Sequence, residues 1–147
     1  MRSSWRLPVT FALLLASPTM TNAAEAGAPT PAPIVFFDIA GPDAAALRSF
    51  YGGVFGWKIG PTNLIGRDST GTLDGTLRQD RPEKMLYLGV PDVTAALQAV
   101  VAAGGKIDQP RFEIPGVVVL GIFHDPAGNR MGVVEMKDGK PVVPPAR

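Results

Sequence analysis

Two stretches of this chain share one pattern of apolar and polar positions. VFFDIAGPD, Val35–Asp43, is an apolar run that ends in Pro-Asp, and LYLGVPD, Leu86–Asp92, repeats it. After each Pro-Asp the apolar spacing changes from the strand period of two to the helical period. Laying one copy on the other with a shift of 49 matches Pro42 with Pro91, Asp43 with Asp92, Ala46 with Ala95 and Gly56 with Gly105. Each copy therefore predicts a strand, an N-cap and a helix. A short carboxylate accepts the unpaired amide hydrogens of a first helical turn, which suits Asp43 and Asp92 to the cap position. Leu47, Phe50, Tyr51 and Val54 fall at i, i+3, i+4 and i+7 and predict one buried stripe, and Leu97, Val100 and Val101 begin its counterpart. Gly52-Gly53 and Gly104-Gly105 are expected to end the helices, because a left-handed residue costs least at glycine.

Short strands are expected after each helix. In the first half they fall near Trp57–Gly60, Leu64–Arg67 and Thr72–Arg78, and in the second near Lys106–Phe112, Val117–His124 and Arg130–Glu135. DPAGN, Asp125–Asn129, stands between the last two as a turn, with Pro after Asp and Gly late in the loop. Strand, helix and three strands, twice over, predict an α+β fold. The two βαβββ units, about residues 34–80 and 84–136, are expected to place a curved, mostly antiparallel sheet inside and the helices outside.

Composition sets the frame for this single domain of residues 34–136. A hydrophobic content of 46% and a charged content of 18% belong to a globular chain. Residues 1–25 have the layout of a secretory signal peptide: Arg2 and Arg6, the apolar run LPVTFALLLASP, then small residues with the cleavage site within Ala23–Ala26. The expected location is therefore periplasmic or secreted, with no membrane span left once the leader is removed. Without the two leader arginines, 12 basic residues face 13 acidic ones. No basic cluster remains that would suit nucleic acid. Residues 26–33 read as a Pro/Ala-rich linker, and residues 137–147 as a C-terminal tail of the same character whose two valines could pack on the domain. The chain has no cysteine, so neither a disulfide nor a lipid-modified cysteine is available.

Three motifs in order resemble the vicinal oxygen chelate superfamily, which holds the glyoxalase-like and bleomycin-resistance proteins and the extradiol dioxygenases. They are DAAALRSFYGGVFGW at Asp43–Trp57, VPDVTAALQAVVAAGGK at Val90–Lys106 and HDPAGNRMGVVE at His124–Glu135. The resemblance implies two modules closing on one cleft, a homodimer, and in metal-dependent members a divalent ion held by His, Glu or Gln from the first and last strand of each module. Carried onto this chain, the first-strand positions are Phe36 and Met85 and the last position is Gly132; Asp74 and Thr76 are the polar options for the fourth. Phenylalanine and glycine offer no side-chain donor, and a thioether suits soft Cu(I) rather than Zn²⁺, Ni²⁺ or Fe²⁺. A divalent metal is therefore disfavoured, and no cofactor is expected.

What remains is an apolar concavity with a few polar points, the usual character of a small-molecule site. Its expected ligand-binding residues are Phe36, Asp38, Trp57, Arg78, Met85, Tyr87, Arg130 and Val134. Asp38 lies two residues from Phe36 and faces the same way; if buried beside Tyr87 it is a candidate acid or base. His124, the only histidine, sits at a strand end, where a surface or capping role is the ordinary one. Alternation places Glu135 on the face opposite Gly132, so a metal site of Asp38, His124 and Glu135 is poor in geometry. The leading expectation is an exported, metal-free binder of a small organic molecule. A glyoxalase-like lyase or isomerase using atypical metal ligands or Asp38 is the first alternative, and a non-catalytic envelope interaction module the second.

Overall fold

The computed structural model describes residues 30–146, so the expected leader and the first half of the linker lie outside the described residues. The first module comprises β1 (Ile34–Gly41), α1 (Ala44–Phe55), β2 (Leu64–Ile65), the single turn α2 (Arg67–Thr70) and β3 (Asp74–Gln79). The second comprises β4 (Glu83–Val90), α3 (Val93–Ala102), β5 (Lys106–Ile114), β6 (Val118–His124) and β7 (Arg130–Lys137). The sheet is curved and unclosed, in the order β2-β3-β1-β4-β7-β6-β5, and a short β8 (Lys140–Pro141) pairs with the end of β7.

The 49-residue repeat becomes a local two-fold at the middle of this sheet. Antiparallel β1 and β4 pair Phe36 with Tyr87, Phe37 with Leu86 and Asp38 with Met85. Positions 49 apart thus sit symmetrically about the Phe37–Leu86 pair. On either side the first strand of each module lies parallel to its last, β1 with β3 and β4 with β7. Both predicted caps form: Asp43 Oδ1 accepts from the Ala46 amide at 2.9 Å, and Asp92 Oδ1 from Ala95 at 2.9 Å.

Alternation along the strands separates two faces. On the helix side, Val93 and Leu97 of α3 pack with Val90, Phe123 and Val133. On the opposite side Met85, Leu120, Ile122 and Val134 form a second buried cluster. Glycine allows the close approach of α3: a Cβ at Gly121 would lie 2.8 Å from Leu97 and 3.0 Å from Val93.

Several expectations change in the first module. The stripe on α1 is not buried as a unit: Leu47 and Tyr51 are half-buried, but Phe50 is 53% and Val54 61% exposed. Among the described residues the helix packs chiefly on β1 and β3. It also runs through Gly52-Gly53 and stops at Gly56, whose φ of 67° is the left-handed cap and whose amide donates to Gly52 O at 3.1 Å. The strand expected near Trp57–Gly60 reduces to one bridge between Ile59 and Ile65. The strand expected at Leu64–Arg67 ends at Ile65, because Arg67 turns to give both its amide and Nε to Asp74, at 3.2 and 2.9 Å.

The C-terminal tail is not a tether. The amide of Val142 donates to Glu135 O at 2.8 Å, Val119 donates to Val142 O at 3.2 Å and Gly116 to Pro144 O at 2.9 Å. The tail is a strap joining β7 to the start of β6, with Pro144 buried.

Candidate functional site

Where the two modules meet, on the face away from the helices, the sheet presents Phe36 and Asp38 from β1, Arg78 from β3, Met85 and Tyr87 from β4, and Arg130 from β7. Asp38 is 3% exposed. Its Oδ2 accepts from the Tyr87 hydroxyl at 2.9 Å and from Arg78 Nε at 3.3 Å, while Oδ1 is buried with no partner among the described residues. Arg78 continues outward to Asp80 and, through Nη2 at 3.1 Å, to Glu83 Oε2. The same Glu83 oxygen accepts from Arg130 Nη1 at 2.9 Å. Arg130 also gives Nε to Asp108 at 2.8 Å and sets Nη1 3.2 Å from the Met85 sulfur. One carboxylate oxygen therefore bridges two guanidinium groups across the module junction.

These contacts set the proton affinities. Burial, with the Asp38 charge beside it, raises the Tyr87 hydroxyl well above the ordinary phenol range, so it stays a neutral donor. Arg78 is held more firmly protonated than usual: burial works against its charge, and the nearby Asp38 and Asp80 outweigh that. Arg130 shifts the same way through its hydrogen bond to Asp108, against burial and with help from Glu83.

The remaining expected residues are placed differently. Phe36 is half-buried and meets Tyr87 edge-on, with ring centroids 5.8 Å apart. Val134, 5% exposed, belongs to the buried cluster below. Trp57 is not in the cleft. It stacks on Tyr51 at 5.1 Å and meets Phe37, which points to the helix side of β1. His124 reaches the strand end beside Arg130. Glu135 faces α3 as alternation requires, bound to Arg111 at 2.9 and 3.0 Å and to the Val93 amide at 3.5 Å. Sequence reasoning missed Glu83 and Asp108. The signal available was the run RQDRPEK, Arg78–Lys84, where alternating charges crowd a tight turn between two strands.

The strand register also fixes the fourth family ligand position. Asp38 pairs with Thr76 across β1–β3, and its repeat mate Tyr87 pairs with Gly132 across β4–β7. Thr76 is thus the mate of Gly132, and Asp74 is spent on Arg67. The four positions hold Phe36, Thr76, Met85 and Gly132. The Thr76 hydroxyl is committed to the backbone oxygen of Asn63 at 3.2 Å, and the Met85 sulfur faces Arg130. A Cβ at Gly132 would lie 2.1 Å from Tyr87 Cδ1, so the tyrosine ring fills the space where a ligand side chain would stand. Among the described residues no group of three or more His, Cys, Asp or Glu could hold a metal. These residues do not fit the family's divalent ion.

Residues 34–134 match the family model described as a glyoxalase-like domain. The chain belongs to this family, within the vicinal oxygen chelate superfamily. The glyoxalase-like domain is 29% identical over 111 residues to the protein named "Putative glyoxylase CFP32" of Mycobacterium tuberculosis, covering 65% of this chain and 42% of that protein. It thus spans less than half the length of this curated relative. Among solved structures it resembles the hypothetical protein BH1468 of Bacillus halodurans, with a TM-score of 0.57, 13% identity, and coverage of 77% of this chain and 100% of that one. It also resembles a glyoxalase/bleomycin resistance protein/dioxygenase superfamily member of Vibrio splendidus, with a TM-score of 0.51, 17% identity, and coverage of 71% and 97%. At these identities the structures speak for the fold, and the glyoxalase-like domain keeps that fold around a centre of its own making.

Proposed function

We propose that this glyoxalase-like domain is an exported protein that works without a divalent metal and binds a small organic molecule where its two modules meet. The observation that carries the reading is the Tyr87 ring lying over Gly132, which takes the space of a family ligand while Phe36, Thr76 and Met85 supply no ion-binding set. Polar points for a ligand come from Arg78 and Arg130, whose side chains are 33% and 29% exposed. A homodimer is part of the reading, supported by the apolar flank of α1, where Phe50, Val54 and Phe55 are each more than half exposed.

Metal analysis of the full chain recovered from the periplasm tests the first half. Stoichiometric Zn, Ni, Mn or Fe retained through dialysis would overturn it. A thermal-shift screen tests the second: a ligand at 100-fold its dissociation constant adds about 2.7 kcal/mol of stability. Lyase or isomerase chemistry through Asp38 is the second reading, favoured by its buried, unpartnered Oδ1. Against it, a general acid or base must come within hydrogen-bond reach of substrate, and Asp38 is 3% exposed. Turnover abolished by Asp38→Asn with the fold intact would establish that reading instead.

A further inference from the structure

The floor of the cleft is closed. Asp38, Met85, Leu120, Ile122 and Val134 are each no more than 6% exposed, and Tyr87 covers Gly132. Open space begins at the strand ends. A groove of about 870 Å³ is lined by Leu86, Phe123 and Met131 together with Glu83, Lys84, His124 and Arg130. A second, of about 580 Å³, shares Glu83, His124 and Arg130 with it. Successive strand residues point to opposite faces, so a groove touching both Glu83 and Lys84, and both Phe123 and His124, wraps around the end of the sheet. Its volume lies in the range that holds a small organic molecule.

Hydrogen-bonding capacity decides what kind of molecule. Three of the four carboxylate oxygens of the larger groove are already engaged. Glu83 Oε2 accepts from Arg78 at 3.1 Å and Arg130 at 2.9 Å. Asp125 Oδ1 accepts from the amides of Ala127 and Asn129, each at 2.9 Å, and Oδ2 from Asn129 Nδ2 at 2.7 Å. Those bonds, the Asn129 side chain first, hold the Asp125 carboxyl below its ordinary range. The donors are not satisfied. Among the described residues Lys84 makes no ion pair, the His124 ring makes no hydrogen bond, and Arg130 Nη2 has no partner. Unspent donors above an apolar floor of Leu86, Phe123 and Met131 complement an anion with an apolar body.

We infer that this strand-end groove binds a small organic carboxylate, its charged end toward Lys84, His124 and Arg130 and its body on Leu86, Phe123 and Met131. The inference rests on the small-molecule reading above and names the ligand class and the position for it. Arg130 is tied into Glu83 and Asp108 and so anchors the donor set, while exposed Lys84 adds charge at the rim.

The test uses the full chain and two probes of one skeleton, 4-phenylbutyrate and its uncharged twin 4-phenylbutan-1-ol, in titration calorimetry and NMR. The acid should bind saturably, shift the imidazole resonances of the single histidine, and bind at least ~10-fold more tightly than the alcohol, as two charge-assisted hydrogen bonds would give. Lys84→Gln should weaken the acid about threefold, the size expected of an exposed ion pair, and raised salt should do the same. Lys84→Gln with His124→Gln should weaken it further, and Val101→Ala, on the exposed flank of α3, should leave it unchanged. Equal affinity for the alcohol would overturn the carboxylate assignment. Weakening by Phe36→Ala with no effect at Lys84 and His124 would overturn the groove while leaving the small-molecule reading standing. Absence of saturable binding by the acid also overturns the inference; the broader reading falls only if the thermal-shift screen is silent as well.

Discussion

The two modules have the same topology and are built to different depths. In the second, β5 and β6 run for nine and seven residues, and α3 buries Val93 and Leu97 against a core that is aliphatic but for Phe123. In the first, the counterpart of β5 is a single bridge at Ile59, β2 is two residues long, and Ala44 is the one buried residue of α1. Aromatic packing stands in for aliphatic burial there: Phe37, Phe50, Tyr51, Phe55 and Trp57 form one chain of ring contacts at 5.1–6.4 Å. What the two copies share is the capped helix and the parallel pairing of first strand with last. The repeat therefore needs only those devices to reproduce the topology, and the amount of core is free to differ. Stability should sit in the second module, leaving α1 able to present an apolar flank.

The largest expected effect probes that division. Leu97→Ala should cost about 2–5 kcal/mol in urea unfolding, since it opens a cavity where α3 meets three strands. Phe50→Ala, on the exposed flank of the other helix, should cost no more than about 0.5 kcal/mol. Equal costs would erase the distinction between the modules.

Next in size is the junction. Gly132→Ala should destabilise by about 1–3 kcal/mol, because the new methyl meets the Tyr87 ring. In a Tyr87→Ala background the same change should be nearly neutral, and a double-mutant cycle measures the coupling. Additive effects would mean that the ring does not hold that position in solution.

Tyr87→Phe should cost about 1–3 kcal/mol by removing a donor from buried Asp38. The hydroxyl has its own signature in pH. Its affinity for the proton is raised in the folded chain above the ordinary tyrosine value of about 10. Its contribution is therefore complete below about pH 10 and is lost as pH rises from there toward the folded value, where the unfolded chain ionises first. Denaturation followed from pH 9 upward should show that decline in the parent and a shallower one in Tyr87→Phe.

The smallest effect on stability is expected at α1. Phe50→Ser with Phe55→Ser should change unfolding free energy by no more than about 0.5 kcal/mol per site and yet abolish the proposed homodimer in sedimentation. A dimer that survives both changes would place the interface elsewhere.

The fold was legible because its devices are local. Two Pro-Asp caps 49 residues apart and the period switch after each are short-range signals, and the three strands after α3 fall within two residues of expectation. The first module was read less well because its strands are short and half of its helix stripe, Phe50 and Val54, is exposed, neither of which periodicity reveals. At the site, the residues standing at the family's ligand positions, Phe36, Met85 and Gly132, could be read directly. The contacts around them could not. The Tyr87 ring meets Gly132 through the β4–β7 register, and Glu83 joins Arg78 to Arg130 across 5 and 47 residues of sequence. Such contacts depend on which strands become neighbours, and a single chain written in one line does not state that.

Tyr87 and Gly132 also constrain how this sequence can change. A side chain cannot return to position 132 while the ring at 87 stays in place, because the two would claim the same volume. The ring could settle there only over a residue without a Cβ. Placing a side chain at 132 therefore has a compulsory order, with the tyrosine given up first, at the cost of the hydroxyl that serves Asp38. The two neighbouring positions are coupled in one direction: the residue at 87 can change while glycine stays at 132, but a side chain at 132 needs the ring moved first.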